Sequence, residues 1–444
     1  MRTSFASALS LTLLIVAAAV DADASARAAD ESWPAGPQAE AVRVEVSTAD
    51  ELMAALDAAK GGETLVLAAG DYGALRLSSK FPGEVTIRSL DPDAPASFSQ
   101  LRLDGVENLA FEHVIFDYTA QPQPSDWYRA NEVRNSHHIA FRHSTFDGGI
   151  MQGTGGAGDG YGTGHGLQVT GSSNIAVEGN TFYNWRKGAI FQRTDQIDFS
   201  GNEMYHLRED ALNFIQVNDV LIEGNHLHTM QNFGAGHADF IQFWTLNTTA
   251  PSTNITISKN ILDSGAGSTV QSIFMTVSQS EEEMWYRDIL IEENVIHNAH
   301  THGITVGASL GLVVRNNTLL QNVGADDRSH NFTLGINLSD ASRDVVVSKN
   351  IVPARWNFPP AATEHRTVEG NLAVVYDDPD AEHAVDRLFV NARAGKEATL
   401  DDLRAVPGGL IEQLGVGAAA TVPEPGTLAL LGLAGLVMLR RPRR

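Results

Sequence analysis

An all-β solenoid of short parallel strands is what this sequence predicts, and its repeats are the first reason. One phrase recurs: a branched apolar residue, any residue, a second apolar residue, two polar or small residues, then Asn. It reads Ile175-Ala-Val-Glu-Gly-Asn180, Ile197-Asp-Phe-Ser-Gly-Asn202, Val220-Leu-Ile-Glu-Gly-Asn225 and Ile255-Thr-Ile-Ser-Lys-Asn260. Ile289-Leu-Ile-Glu-Glu-Asn294, Leu312-Val-Val-Arg-Asn-Asn317 and Val345-Val-Val-Ser-Lys-Asn350 follow, with a last Asn at Asn371. The asparagines are spaced by 22, 23, 35, 34, 23, 33 and 21 residues, a base period with loops inserted into some turns. Repeats of that length are stacked structural units. Within each phrase the apolar positions alternate with period two, which describes a half-buried strand. Helical periodicity is nearly absent between phrases, which argues against leucine-rich or helical repeats.

The chain turns after each strand at Gly-Asn, Lys-Asn or Asn-Asn, and Asn tolerates left-handed backbone angles at such bends. Stacked coils place successive Asn amides about 4.8 Å apart, within bonding reach along the axis. Two weaker copies begin at Leu109 and Ile139 and carry His (His113, His143) where Asn is expected to sit. This pattern resembles the right-handed parallel β-helix, the fold of pectate lyases, polygalacturonases, chondroitinase- and alginate-type lyases and mannuronan epimerases. The resemblance spans roughly residues 42–392, expected as one domain, since a solenoid grows without closing a single core.

Composition narrows the function. The net charge is −23, from 54 acidic against 31 basic residues, which disfavours nucleic acid because that partner needs clustered cations. An acidic polysaccharide then binds only through a local basic patch or a bridging cation. There is no cysteine, so disulfides and thiolate metal sites are excluded. Arg2, the apolar run from Ala8 to Val20 and Ala26-Arg27-Ala28 read as a secretory signal over residues 1–28. Residues 422–444 hold Val422-Pro423-Glu424-Pro425, a 14-residue apolar run from Gly426 to Leu439, and Arg440-Arg441-Pro442-Arg443-Arg444. The run is shorter than the roughly 20 residues of a stable span, and its basic end obeys the positive-inside rule. These three parts resemble the PEP-CTERM sorting signal of Gram-negative bacteria. The resemblance implies recognition by an exosortase, export across the inner membrane, and a place in the cell envelope or extracellular matrix.

The start of the domain reads as a capping module. Ser47 is expected to N-cap a helix over Asp50–Lys60 whose apolar positions 52, 55, 56 and 59 share a face, stopped by Gly61-Gly62. Thr64–Leu67 is expected to be the first strand. A helix there covers the open edge of the first coil. Gly148–Gly166 reads as a mobile glycine-rich loop, and residues 393–421 as a terminal cap and linker.

A second ladder precedes the Asn phrases: His165-Gly-Leu-Gln-Val, Lys187-Gly-Ala-Ile-Phe, Asp210-Ala-Leu-Asn-Phe, Asp239-Phe-Ile-Gln-Phe, Gln271-Ser-Ile-Phe-Met and His302-Gly-Ile-Thr-Val. Third and fifth positions are apolar and are assigned to the core. Second and fourth are assigned outward, which exposes Gln168, Asn213, Gln242 and Thr305, with Trp244 beyond. First positions then stack on successive rungs about 5 Å apart. Adjacent Asp210 and Asp239 repel unless they share a proton, bind a cation or meet a base such as Lys187 or Arg208. His206, Arg208, Asp210, His237, Asp239 and Gln242 form the polar group where the site is expected. His165, Asn213, Gln242, Trp244 and His302 are assigned to substrate. Trp185, Trp285 and Tyr286 are further candidates for stacking on sugar. His137-His138 and His226/His228 are read as structural, at turns or on alternate faces.

Three chemistries fit these residues. β-Elimination from a uronate needs charge neutralisation, a base for the C5 proton and a donor for the leaving oxygen. Asp210 and Asp239 then hold a Ca²⁺ ion, Lys187 is the base and Arg208 its partner, a Lys and an Arg one coil apart as in chondroitinase- and alginate-type lyases. Hydrolysis is the second, because carboxylates near 5 Å apart suit a retaining glycosidase and Thr301-His302-Gly303 looks like the Gly-His-Gly strand of polygalacturonases. C5 epimerisation, sharing the proton abstraction, is the third. A non-catalytic glycan-binding scaffold is the alternative from another class, and on every reading the chain is expected to be a monomer. The favoured expectation is a lyase acting on an acidic polysaccharide.

Overall fold

The computed structural model describes residues 42–418 apart from 121–124, 154, 157, 234–236, 280, 325–332 and 355–361. The signal segment, the sorting signal and residues 419–421 of the expected linker therefore lie outside the described residues. Three parallel sheets of 13, 11 and 10 strands run side by side along the coils, the architecture of a right-handed parallel β-helix. One turn shows how a coil is made. Strand Ser173–Glu178 lies in the 13-stranded sheet, Thr181–Tyr183 in the 11-stranded sheet and Lys187–Gln192 in the 10-stranded sheet, before Asp195–Ser200 returns to the first. Register is kept from coil to coil, Ile175 pairing with Ile139 and Ile197, so every apolar set falls on the same face.

The inner faces fill with stacked rings. Phe98, Phe116, Phe146 and Phe182 follow one another behind the 11-stranded sheet, with centroids 6.0, 4.6 and 4.1 Å apart. Phe191, Phe214 and Phe243 do the same behind the 10-stranded sheet at 5.2 and 4.6 Å. Such offset stacks add to the burial that holds successive coils together.

The asparagines form an internal ladder from Asn180 to Asn371. Asn202 is typical: its Nδ2 donates to Asn225 Oδ1 at 3.0 Å and to the Val177 carbonyl at 2.8 Å. Its Oδ1 accepts the backbone N–H of Asn180 at 2.9 Å and its Nδ2 at 3.1 Å. Every donor and acceptor of the buried amide is used, so burial leaves no orphan. The left-handed angle belongs to the preceding residue and not to the Asn: Gly179, Gly201, Gly224, Lys259, Glu293, Asn316, Lys349 and Gly370 all have φ between 53° and 65°. His113 and His143 occupy that same left-handed position and stack at 5.3 Å. The ladder positions in their two coils are Val114 and Ser144: the Val114 N–H donates to Ser144 Oγ at 3.2 Å, and the Ser144 N–H to Asn180 Oδ1 at 2.9 Å. The two histidines thus sit one residue earlier than the phrase suggests.

At the start, strand Val42–Val46 precedes Glu63–Leu67, so Thr64–Leu67 is the core of the second strand and not the first. The helix runs Ala49–Ala58 and its N-cap is Thr48, not Ser47. Thr48 Oγ1 accepts the Glu51 N–H at 3.2 Å, and the Glu51 carboxylate reaches back to the Ser47 N–H at 2.8 Å. Ser47 is one residue too early for its hydroxyl to meet the first turn. Leu52 and Leu56 are buried against the first coil. After the last coil strand, Leu372–Val374, short helices Val385–Leu388 and Leu410–Leu414 pack on a second cluster around Phe389 and Ile351. Among the described residues no helix is long and apolar enough to cross a membrane.

Candidate active site

The polar ladder lies on the outer face of the 10-stranded sheet. His165 pairs with Arg129 on one side and Lys187 on the other, and Asp239 pairs with Gln271. Leu212 opposite Ala189 and Ile241 puts Asp210 between Lys187 and Asp239, and Ile304 opposite Ile273 brings His302 beside Gln271. First and fourth positions share the outer face, as Asp210–Asn213, His165–Gln168 and His302–Thr305 contacts of 3.0, 3.2 and 2.8 Å show. Second positions were expected outward and are not. Gly166, Gly188, Ala211 and Phe240 are buried at the core corner, and a Cβ on Gly188 would lie 2.2 Å from Met204 Cε. The chain bends there, so outward positions recur at i and i+3 instead of i and i+2.

A charge network occupies the centre. Lys187 Nζ lies 2.5 Å from Asp210 Oδ2 and 3.0 Å from Asn213 Oδ1. Asn213 Nδ2 donates to Asp210 Oδ2 and to Gln242 Oε1, both at 3.0 Å. Asp210 Oδ1 accepts the backbone N–H of Asp239 at 3.1 Å. Asp239 is wholly buried; its Oδ2 lies 2.9 Å from His237 Nδ1, and its Oδ1 has no hydrogen-bond partner among the described residues. Burial first, with Asp210 adding to it, pushes the Asp239 carboxyl up to about 7. His237, with a side chain 59% exposed, is held above the usual imidazole range, chiefly by its hydrogen bond to Asp239. The two form a dyad in which a buried carboxyl orients an exposed imidazole.

Aromatic and basic groups border this centre. The Trp244 ring lies 5.4 Å from Lys187 Nζ, and the exposed Trp127 ring lies 4.2 Å from the Arg186 guanidinium. Arg186 Nε meets Glu209 Oε1 at 2.8 Å, and Arg208 Nη2 meets Asp126 Oδ1 at 2.6 Å. Arg208 is buried and its Nε has no partner among the described residues. His165 is buried, its pKa driven by desolvation down to about 4, so it is neutral. Phe274 stands between His237, at 6.2 Å, and His302, at 4.8 Å.

Lys187, Asp210, Asn213, His237, Asp239 and Gln242 therefore meet in one network, with His165 and Trp244 flanking it and His302 beyond Phe274. Arg208 is turned to Asp126 instead of to that network. His206 stands at another corner, its ring 5.0 Å from Tyr205. Trp185 and Tyr286 are fully buried and Trp285 nearly so, which removes them as outward stacking rings; Trp185 Nε1 instead donates to the Phe146 carbonyl at 2.9 Å. Glu209, Trp127, Asp126, Arg186 and Phe274 complete the surroundings, and of these the sequence pattern singles out only Glu209, beside Asp210. The Pro-rich insertion ahead of Ser125-Asp-Trp was the available signal, since an insertion between coil strands marks a loop over the sheet edge. Gly148–Gly166 is internally paired, Met151 N–H to the Tyr161 carbonyl at 3.0 Å. Gly148 and Gly162 serve close packing there: a Cβ on either would lie within 2.4 Å of Asn184 backbone. Tyr161 stacks on Phe233 at 4.6 Å, which ties this loop to the segment before His237.

The family model for the right handed beta helix region matches residues 132–352. That for the PEP-CTERM protein-sorting motif matches residues 421–444. No curated protein matches the sequence. Similar solved structures include an alginate lyase from Paenibacillus sp. str. FPU-7, at 15% identity over 77% of this chain and 98% of that one, TM-score 0.40. PfbA, a surface adhesin of Streptococcus pneumoniae, matches at 12% over 75% and 92%, TM-score 0.41. A tailspike protein of E. coli bacteriophage HK620 matches at 13% over 76% and 64%, TM-score 0.41. Likenesses this distant select no activity. The three parallel sheets, the Asn ladder and the two family models together make the chain a right-handed parallel β-helix protein that ends in a PEP-CTERM protein-sorting motif.

Proposed function

We propose that the protein, exported and recognised by an exosortase as its sorting motif implies, cleaves an acidic, uronate-containing polysaccharide by β-elimination on the outer face of the 10-stranded sheet. The observation that carries this reading is an exposed imidazole, His237, oriented by a buried carboxylate, Asp239, on a face bordered by Trp127 and Trp244. His237 takes the C5 proton, the C–H electron pair closes the C4=C5 double bond, and the C4–O bond breaks. The imidazolium then returns its proton to the departing oxygen, so the base and the acid are one residue. Asp239 fixes the tautomer and stabilises the imidazolium; the Trp rings stack on sugar. Lys187, expected as the base, is committed to Asp210 at 2.5 Å and supplies positive charge beneath the substrate instead.

The same geometry disfavours hydrolysis by the two aspartates. Their side chains are 4% and 0% exposed, so neither carboxylate can reach an anomeric carbon. The donor set also fits Ca²⁺ poorly. A calcium ion wants six to eight oxygens, while the Asp210 oxygens already face the Lys187 ammonium, Asn213 and the Asp239 N–H.

The test is a panel of alginate, pectate, glucuronan and glycosaminoglycans followed by the ultraviolet absorbance of a new conjugated double bond. A rising signal on one polymer supports elimination and names the substrate. Solvent deuterium entering C5 without cleavage means epimerisation; new reducing ends without absorbance mean hydrolysis. Binding without any product leaves a glycan scaffold.

A further inference from the structure

A second polar cluster lies on the outer face of the 11-stranded sheet, apart from the Lys187 ladder. Strand His226–His228 holds Leu227 in the core, so both imidazoles project from the same outer face. This corrects the expectation that they alternate: i and i+2 on a strand share a side. Their rings stack at 4.3 Å. Glu203, on the preceding coil, pairs directly with His226. One donor atom from each of Glu203, His226 and His228 can be chosen so that all lie within 4.8 Å of one another.

Hydrogen bonding leaves this trio unfinished. His226 Nε2 is closed to solvent and has no partner among the described residues, a state that buried polar atoms rarely occupy without reason. His228 Nδ1 is engaged by Thr229 Oγ1 at 2.9 Å, which leaves Nε2 directed at Glu203 Oε1 across 3.4 Å, longer than a good N–H···O bond. Nearby Asp263 is already satisfied by His297 Nδ1 and the Gly265 N–H, both at 2.8 Å, and does not compete.

We propose that Glu203, His226 and His228 bind a divalent late transition metal, Zn²⁺ foremost. Two imidazole nitrogens and one carboxylate make the three-ligand set that leaves a fourth position open to water or a ligand. Oxygen-seeking Ca²⁺ and Mg²⁺ are excluded by the same donors. Thr229 acts from behind, holding the His228 ring so that Nε2 faces the ion. Because Glu203 and His226 belong to successive coils, the ion ties two turns of the solenoid together. It therefore stabilises the folded chain by mass action.

The experiment uses the metal-stripped full chain, with Zn²⁺ in calorimetry and Co²⁺ as a visible-absorbing surrogate. One equivalent should bind, raise the melting temperature and give a four-coordinate Co²⁺ band. His226→Ala should abolish all three, Glu203→Gln should do so without loss of volume, and Thr229→Val should weaken binding about 10- to 100-fold. No heat and no band with the wild type overturns the proposal. So does binding that survives in both Glu203→Gln and His226→Ala but is lost in His237→Ala, which assigns the metal to the Asp210–His237–Asp239 group. If His226→Ala fails to fold, Glu203→Gln alone decides.

Discussion

Asp239 and His237 are two residues apart in sequence and opposite in environment. The carboxylate is wholly buried, the imidazole is mostly exposed, and 2.9 Å separates them. A strand end does this because Asp239 begins the strand while His237 still belongs to the loop before it. On the proposed mechanism, His237→Ala lowers kcat by about 10²- to 10⁴-fold, the usual worth of a positioned general base. The substitution also leaves the buried Asp239 carboxyl without its partner, so the melting temperature falls and the rate is compared per folded molecule. Asp239→Asn keeps the shape but presents an amide to Nδ1, so it also loses rate; full activity in either variant would remove the dyad from catalysis.

The pH dependence has a definite sign. His237 must be neutral to accept the C5 proton, and its pKa is raised by Asp239. Activity should therefore rise with pH through a midpoint above the ordinary imidazole value. A profile whose rising limb falls below that value, or is unchanged in Asp239→Asn, contradicts the assignment.

Stability follows the same pair. Asp239 goes from 3.8 in the unfolded chain to about 7 in the folded one, so the folded state binds the proton more tightly. Stability is then greatest below the unfolded value and falls as pH climbs from about 4 to about 7. His237, raised as well, adds stability below its unfolded pKa that is lost as pH rises through the folded one. Denaturant unfolding at a series of pH values should show this decline, flattened in Asp239→Asn.

The asparagine ladder predicts position-dependent cost. Replacing Asn225 by Ala leaves the Asn202 N–H and Nδ2 without their acceptor and the Phe199 carbonyl without its donor. At roughly 1–3 kcal/mol for a buried orphan, the loss should be about 2–4 kcal/mol. Asn371, at the ladder's end and only half-buried, should cost clearly less. Equal losses in chemical denaturation would mean that the amides do not act as a chain.

How far the sequence reveals this molecule depends on whether a feature repeats. Asn180 through Asn371 and the first-position rungs from His165 to His302 repeat in register, so stacking follows from spacing alone. The bend that turns Phe240 and Ala211 inward is a property of backbone at one corner, and the period-two rule misses it. Trp185 looks like any exposed corner aromatic until Phe146 supplies a carbonyl from the coil beneath. Trp127 reaches the site on an insertion, whose path no periodicity encodes.

Lys187 offers the last test, because its two readings predict different outcomes. A lysine that serves only as a base can be lost without harm to the fold. Here the side chain is 9% exposed and lies 2.5 Å from an Asp210 carboxylate that is itself buried. Lys187→Ala strands that negative charge beside Asp239, and removing one partner of a buried pair costs about 3–5 kcal/mol. Lys187→Met with Asp210→Asn should recover much of the loss, since the charge and its partner leave together. Ca²⁺ should not shift the melting temperature of the wild type, where the ammonium holds the place. It should raise that of Lys187→Ala, where Asp210, His237 and Asp239 face one another without a cation. Stabilisation of the wild type by Ca²⁺ would instead mean that the ion outcompetes the ammonium, and Lys187 would then be free to act as the base.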